Sequence, residues 1–166
     1  MKWRGRVKVG ALVAIVALAA ASFALPPPKV SGPPHAPFAG AEVNPAVLSI
    51  LQRSCADCHS DQTDYPWYSY IAPVSLLIRS DVMGGREHLN FSRWAEYSLV
   101  RKERALSEIA NQVKDGDMPL AQYTWIHRGA RLSQSEVDAV FRWTQAERAR
   151  LIAESARRNS TSPNPQ

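Results

Sequence analysis

The hydrophobic residues of this chain recur mostly at the spacing of α-helices. A first helix is predicted to begin at Asn44-Pro45, because asparagine is a favoured N-cap and proline is favoured in the first turn. Its apolar stripe consists of Val47, Leu48, Ile50 and Leu51. The stripe continues to Cys55, so a buried helical face leads directly into the segment that follows.

Helical spacing returns after an aromatic segment bounded by Pro66 and Pro73. Proline at both ends favours a short helical turn or irregular structure over a strand. A second helix is predicted from Pro73, and Gly84-Gly85 is expected to weaken or end it. Its apolar face consists of Val74, Leu77, Ile78 and Val82.

The second half of the chain predicts further helices. Ser92 is a plausible N-cap for a helix that begins at Arg93, and Gly116 ends the amphipathic stretch that follows. Residues 133–136 fit a capping box at the start of the last helix. The apolar positions are Trp94, Tyr97 and Leu99, then Leu106, Ile109, Ala110 and Val113, and finally Val137, Val140, Phe141 and Thr144. Because no strand alternation is found, the fold is predicted to be all-α.

The N-terminus has a different pattern. Four basic residues between Lys2 and Lys8 precede an uncharged apolar run from Val9 to Leu25, which is typical of a segment that directs export. At about 17 residues the run is at the lower limit for crossing a bilayer. We interpret it as a signal anchor, with a cleaved signal peptide left open. The folded part is then expected on the periplasmic side of the inner membrane.

Composition divides the chain into four parts. Residues 1–25 form the signal or anchor segment, and 26–43 form a proline-rich linker, expected to be extended and semi-rigid. Residues 44–152 form the folded domain, and 153–166 are predicted to be a disordered tail. His35 falls in the linker and is interpreted as a solvated residue.

The formal charge of +5 belongs to the N-terminus. Five of the 20 basic residues precede Glu42, the first acidic residue, and the remaining 15 are matched by 15 acidic ones. The folded part is therefore neutral, and the composition gives no support for a nucleic-acid partner.

The candidate chemistry lies in residues 55–59, Cys-Ala-Asp-Cys-His, which we call the CxxCH motif. It contains both cysteines of the chain. This pattern is typical of covalent haem c attachment, in which each thiol binds one vinyl group and the adjacent histidine becomes an axial ligand of the iron. The motif therefore predicts thioethers at Cys55 and Cys58 and a metal ligand at His59. Two alternatives stay open: half of a zinc site, with His88 or His127 as further ligands, and a redox dithiol.

Met118 is the candidate for the sixth iron ligand. It stands between a helix-ending glycine and Pro119, on a stiff loop outside any helical stripe, and a methionine presented in this way is the usual partner of histidine in a cytochrome. His127 and Met83 are competitors, although Met83 is better interpreted as helix core. His88 is expected to form only local hydrogen bonds.

Several motifs in order resemble the bacterial haem-binding domain family of small c-type cytochrome-like proteins. They run from about Pro45 to Thr144 and comprise residues 55–60, 66–68, 71–75, 85–86, 89–94 and 116–120, with Tyr123. The resemblance implies an exported or membrane-tethered domain that holds one haem c. It also places Arg86 near the CxxCH motif, where we interpret it as a partner of a haem propionate.

These observations predict an all-α, cytochrome-c-like domain around one covalent haem. The expected function is one-electron transfer with partner proteins outside the cytoplasm, as an electron carrier rather than an enzyme. One alternative is a haem-based sensor or a peroxidase-like enzyme, which requires a weakly held sixth position. Another is a haem-free module that uses zinc or a dithiol.

Overall fold

The computed structural model describes residues 2–24, 26–28 and 36–161. Every regular element in these residues is helical, which confirms the all-α prediction. The seven α-helices of this part of the chain are α1 (Lys2–Ala24), α2 (Pro45–Ser54), α3 (Ala56–His59), α4 (Val74–His88), α5 (Leu99–Asp115), α6 (Ala121–Ile126) and α7 (Gln134–Thr161). Three 3-10 helices lie between them, at Trp67–Tyr70, Phe91–Glu96 and Arg128–Ala130.

The core forms where α5 and α7 pack against each other and against α2. Leu51, Leu106, Val140 and Trp94 are fully buried there. Asn44 caps α2 as predicted, because its side chain accepts a hydrogen bond from the Val47 backbone N–H at 2.9 Å. This helix therefore enters the core directly before the CxxCH motif.

Part of the predicted linker belongs to the folded domain. Phe38 is only 3% exposed, and its ring centroid lies 4.3 Å from that of Phe91 and 5.2 Å from that of Trp143. The Trp143 indole also donates to the Glu42 carbonyl at 2.9 Å. The prediction of an extended spacer is therefore wrong for residues 36–43, because the Phe38 ring packs in the core and the Glu42 carbonyl is bonded to Trp143. His35 lies outside the described residues.

Helix α4 continues through both of its glycines and ends at His88, so the expected break at Gly84-Gly85 is wrong. A Cβ on Gly85 would stand 2.6 Å from the Cys58 carbonyl oxygen. Glycine at this position is therefore explained by the close approach of α4 to α3 and not by a helix end. Of the predicted apolar stripe, only Val82 is buried, while Val74 and Leu77 are 38% and 49% exposed.

The helix predicted from Arg93 is interrupted. Asn90, not Ser92, caps a 3-10 helix that ends at Glu96, and Ser98 then caps α5 by accepting from the Arg101 N–H. Helix α5 ends at Gly116, whose φ of 78° is the left-handed conformation that favours glycine, as predicted.

The capping box of the last helix is confirmed. The Ser133 N–H donates to the Glu136 carboxylate at 2.8 Å, and the Glu136 N–H donates back to the Ser133 hydroxyl. Helix α7 continues to Thr161, so the predicted disordered tail is helical over residues 153–161. Ion pairs of Glu154 with Arg150 and Arg158, one turn away on either side, support this extension. Residues 162–166 lie outside the described part.

The N-terminal segment forms α1, and its side chains from residue 6 to residue 20 are all exposed. In the part of the chain whose side chains are described, no helix meets the length and hydrophobicity needed to cross a membrane. The end of α1 contacts the domain, where the Ala72 N–H donates to the Ser22 hydroxyl at 2.9 Å.

Candidate haem site

The His59 ring is fixed by a hydrogen bond and by a stacked neighbour. Its Nδ1 lies 2.9 Å from the Leu89 carbonyl oxygen, and because a carbonyl only accepts, the ring proton is on Nδ1. In the neutral ring Nε2 is therefore the unprotonated nitrogen, the form in which imidazole binds a metal. Burial lowers the pKa of this imidazole, which further favours the neutral form. The Phe91 ring stacks at 5.7 Å between centroids and limits rotation of the imidazole.

Both cysteines are half-buried free thiols. Burial raises the pKa of Cys55 to about 12, and burial with nearby Asp81 and Asp57 raises the pKa of Cys58 to about 11. Redox dithiols have depressed thiol pKa values, so these values disfavour the dithiol alternative. Among the described residues no group of three or more His, Cys, Asp or Glu side chains is placed to hold a metal ion, so the zinc alternative finds no ligand set there.

Helix α4 forms a wall beside the CxxCH motif. Val74, Leu77, Ile78, Asp81 and Gly85 share one face by helical spacing, and the last two of these approach Cys58. Exposed apolar side chains therefore lead along α4 towards the thiols. These apolar side chains are not part of the protein core. A porphyrin has a large apolar face, so the stripe is suited to line a haem site.

Arg86 connects three segments around the motif. Its guanidinium donates to the Ser60 carbonyl at 2.8 Å, to the Thr63 hydroxyl at 2.8 Å and to the Pro28 carbonyl at 3.2 Å. These bonds give Arg86 a role in holding the loop after His59. Its pairing with a haem propionate stays a prediction.

Hydrogen bonds of Asn90 and Ser92 fix the chain on either side of the His59–Leu89 contact. The Asn90 side chain donates to Asp61 at 2.7 Å, and the Asp61 N–H donates to the Ser92 hydroxyl at 3.0 Å. These bonds join the segment that follows His59 to the one that supplies the Leu89 carbonyl. Polar residues in a loop gave no signal in the sequence that they would form this support.

Met118 is half-buried on the loop between α5 and α6, and its N–H donates to the Gln112 carbonyl at 3.1 Å. It lines a cavity of about 290 Å³ together with Val113, Pro119, Thr124 and Leu132 among others. Residues of the CxxCH motif do not line this cavity. The role of Met118 as sixth ligand stays a prediction.

The surroundings of the two competitors, His127 and Met83, and of His88 are also described by the structure. His127 shares a hydrogen bond of 2.7 Å between its Nε2 and the Tyr68 hydroxyl, so this nitrogen already has a partner. Met83 is 48% exposed, and its interpretation as helix core is wrong. His88 is exposed at the end of α4.

The sequence did not indicate the contact that Asp57 makes. The Asp57 carboxylate accepts a hydrogen bond of 2.7 Å from the Tyr123 hydroxyl, and the Tyr123 ring stacks on His127 at 4.4 Å between centroids. Burial and this bond raise the pKa of Tyr123, so it remains a donor. Asp57 occupies one of the two x positions of CxxCH, which the motif does not specify, so the motif could not indicate a partner for it.

The comparison with protein families matches residues 16–146 to the haem-binding domain. The chain belongs to the haem-binding domain family. The match includes the CxxCH motif, the α4 wall and the Met118 loop, so the resemblance drawn from the sequence motifs is confirmed. No solved structure gives a significant match.

A relative of this haem-binding domain is the cytochrome c peroxidase Ccp of Escherichia coli (strain K12). It is 27% identical over 124 residues, which cover 72% of this chain and 26% of the peroxidase. The chain thus spans about a quarter of the length of this relative. The expectation of an electron carrier rather than an enzyme is contradicted by this likeness, although distant, to an enzyme.

The residues of the site fit a haem. The His59 ring is oriented by the Leu89 carbonyl, two free thiols stand at the spacing of the haem c motif, and α4, which contacts Cys58 at Gly85, has exposed apolar side chains. In this haem-binding domain, His59 would hold the iron, and α4 would form one side of the site where Gly85 meets Cys58.

Proposed function

We propose that this chain is an exported c-type haem domain that transfers single electrons. Cys55 and Cys58 would hold one haem through thioether bonds, and His59 and Met118 would bind its iron. The observation that carries the proposal is the hydrogen bond from His59 Nδ1 to the Leu89 carbonyl, which leaves Nε2 for the iron at the end of a Cys-x-x-Cys sequence.

The haem supplies one-electron redox chemistry when it is bound. The protein's own residues set the conditions for it. The Leu89 carbonyl increases the basicity of His59, and the buried Phe91 and the apolar side chains of α4 lower the local polarity. Arg86, which is half-buried and uses three of its N–H groups within the fold, places a positive charge close to the motif.

The proposed location is the periplasmic side of the inner membrane. The first turns of α1 contain four basic residues, an apolar run fills the rest of the helix, and its side chains from residue 6 to residue 20 are exposed. We propose that α1 directs export and then tethers the domain or is removed, and that the partners are redox proteins in the same compartment.

The likeness to a peroxidase favours a second candidate function, a part in peroxide reduction. Reduction of hydrogen peroxide to two water molecules consumes two electrons and two protons. The domain would either deliver electrons one at a time to such a reaction or carry it out itself with a reduced donor protein. The second of these requires a sixth position that peroxide can enter.

Optical spectra and rapid mixing would test both candidates. Protein from an exporting host with haem-attachment machinery is expected to give the spectrum of covalent haem, with the band of methionine bound to ferric iron. Electron transfer predicts that the reduced protein is inert to carbon monoxide and passes its electron to an oxidised cytochrome. Rapid binding of carbon monoxide, with turnover of peroxide by a reduced donor, would instead favour reaction at this haem. A Met118→Ala variant, which has an open sixth position, serves as the positive control.

A further inference from the structure

The loop that carries Met118 is held at both ends. At its start the Met118 N–H donates to the Gln112 carbonyl at the end of α5, at 3.1 Å. Five residues later, the Tyr123 hydroxyl donates to Asp57 Oδ2 at 2.7 Å. Tyr123 lies in α6, the helix that directly follows the loop, and Asp57 lies between the two cysteines, so the second anchor connects the end of the loop to the CxxCH motif through α6.

Asp57 is itself fixed. Its Oδ1 accepts from the Asp64 N–H at 3.2 Å, and its carbonyl accepts from the Thr63 hydroxyl at 2.6 Å. The Tyr123 ring is held by its stacking on His127, whose Nε2 in turn meets the Tyr68 hydroxyl. The bond therefore joins two rigid groups, which makes it suited to setting a distance.

We propose that Tyr123 is a positioning residue: its hydrogen bond to Asp57 holds the Met118 loop against the CxxCH motif, so that the thioether keeps the sixth position. The inference rests on the proposed haem attachment and on Met118 as ligand. A methionine–iron bond is more stable when the loop that carries the methionine is already fixed, because the loop then loses little conformational entropy when the bond forms. Loss of a hydrogen bond to a carboxylate shifts such an equilibrium by at least about tenfold.

The test compares Tyr123→Phe, which keeps the ring and removes the hydroxyl, with Tyr70→Phe, which removes the hydroxyl of a 42% exposed tyrosine. Both are made in the full chain with haem attached. We expect Tyr123→Phe to keep its haem content and helical circular dichroism, to lose intensity in the methionine–ferric band, and to bind carbon monoxide at least about tenfold faster than wild type. Tyr70→Phe is expected to behave as wild type.

A double-mutant cycle with Asp57→Ala identifies the partner. If the hydroxyl acts through Asp57, adding Tyr123→Phe to Asp57→Ala changes the carbon monoxide rate no further. Additive effects would overturn the inference, as would a Tyr123→Phe variant with the rate and band of wild type. If Tyr123→Phe fails to accumulate with haem, Asp57→Ala, which removes the acceptor, is measured alone with the same readouts, and a wild-type rate and band in that variant overturn the inference. A wild-type protein without the methionine band would overturn the inference together with the Met118 ligand, while haem attachment and one-electron reduction would still be measured independently.

Discussion

Gly85 is the position where α4 comes closest to the CxxCH motif, and Gly85→Ala tests that approach. The new Cβ would stand 2.6 Å from the Cys58 carbonyl oxygen and 3.2 Å from the Cys58 Cβ, whereas ordinary contact begins at 3.4 Å. The helix would have to retreat by about 0.8 Å from a neighbour that is backbone and cannot rotate away. Overpacking of this kind costs about 1–3 kcal/mol. It is opposed by the gain of about 0.5–1 kcal/mol that alanine brings to a helix interior.

Gly84→Ala is the matched control, because a Cβ there meets nothing within 4 Å. Both variants receive the same helical gain, so the difference between them isolates the contact with Cys58. In chemical denaturation followed by circular dichroism, we expect Gly84→Ala to be more stable than wild type and Gly85→Ala to be less stable than Gly84→Ala by about 1–3 kcal/mol. We also expect less attached haem in Gly85→Ala from an exporting host. Equal unfolding free energies for the two variants would refute the packing argument.

Three further predictions concern other parts of the fold. The Ser133 N–H and the Arg53 guanidinium lower the pKa of Glu136 to about 2, below its unfolded value of about 4.3. This carboxylate therefore stabilises the fold above about pH 4.3, and the contribution is lost as the pH falls towards about 2. Glu136→Gln should therefore reduce the unfolding free energy by about 1 kcal/mol at pH 7, and this difference should shrink as the pH falls towards 2; a difference of the same size at both pH values would contradict this. Leu106→Ala, at a fully buried site, should cost about 2–5 kcal/mol in urea unfolding, against less than about 0.5 kcal/mol for Val100→Ala at a site that is 76% exposed; similar losses would show that the core is placed incorrectly. Arg86→Ala should lower the haem reduction potential in voltammetry, because a positive charge near the iron favours the reduced form, and an unchanged potential in a folded variant would remove the propionate pairing.

The features that local sequence could predict were those decided within one or two turns of chain. The cap at Asn44, the helix end at Gly116 and the box at Ser133 each depend on a hydrogen bond or a backbone angle a few residues away. The interpretation of residues 55–59 depended in the same way on spacing along the chain, and the family match includes it.

What the sequence could not reveal depended on contacts between distant segments. Gly85 was read as a helix breaker because its neighbour, Cys58, lies 27 residues away in sequence, although it is the closest contact in space. Phe38 was assigned to a linker by its proline-rich surroundings, but its ring fills a gap between Phe91 and Trp143. Tyr123 was included in the family resemblance, but its hydrogen bond to Asp57, 66 residues away in sequence, could be known only from the fold.

Mass spectrometry of the exported chain tests the central claim most directly. Under denaturing conditions the wild-type protein is predicted to carry the added mass of one haem, and a Cys55→Ala/Cys58→Ala variant from the same host is predicted to carry none. A wild-type chain without that mass, purified from a host that attaches haem to a control cytochrome, would contradict the covalent site at Cys55, Cys58 and His59.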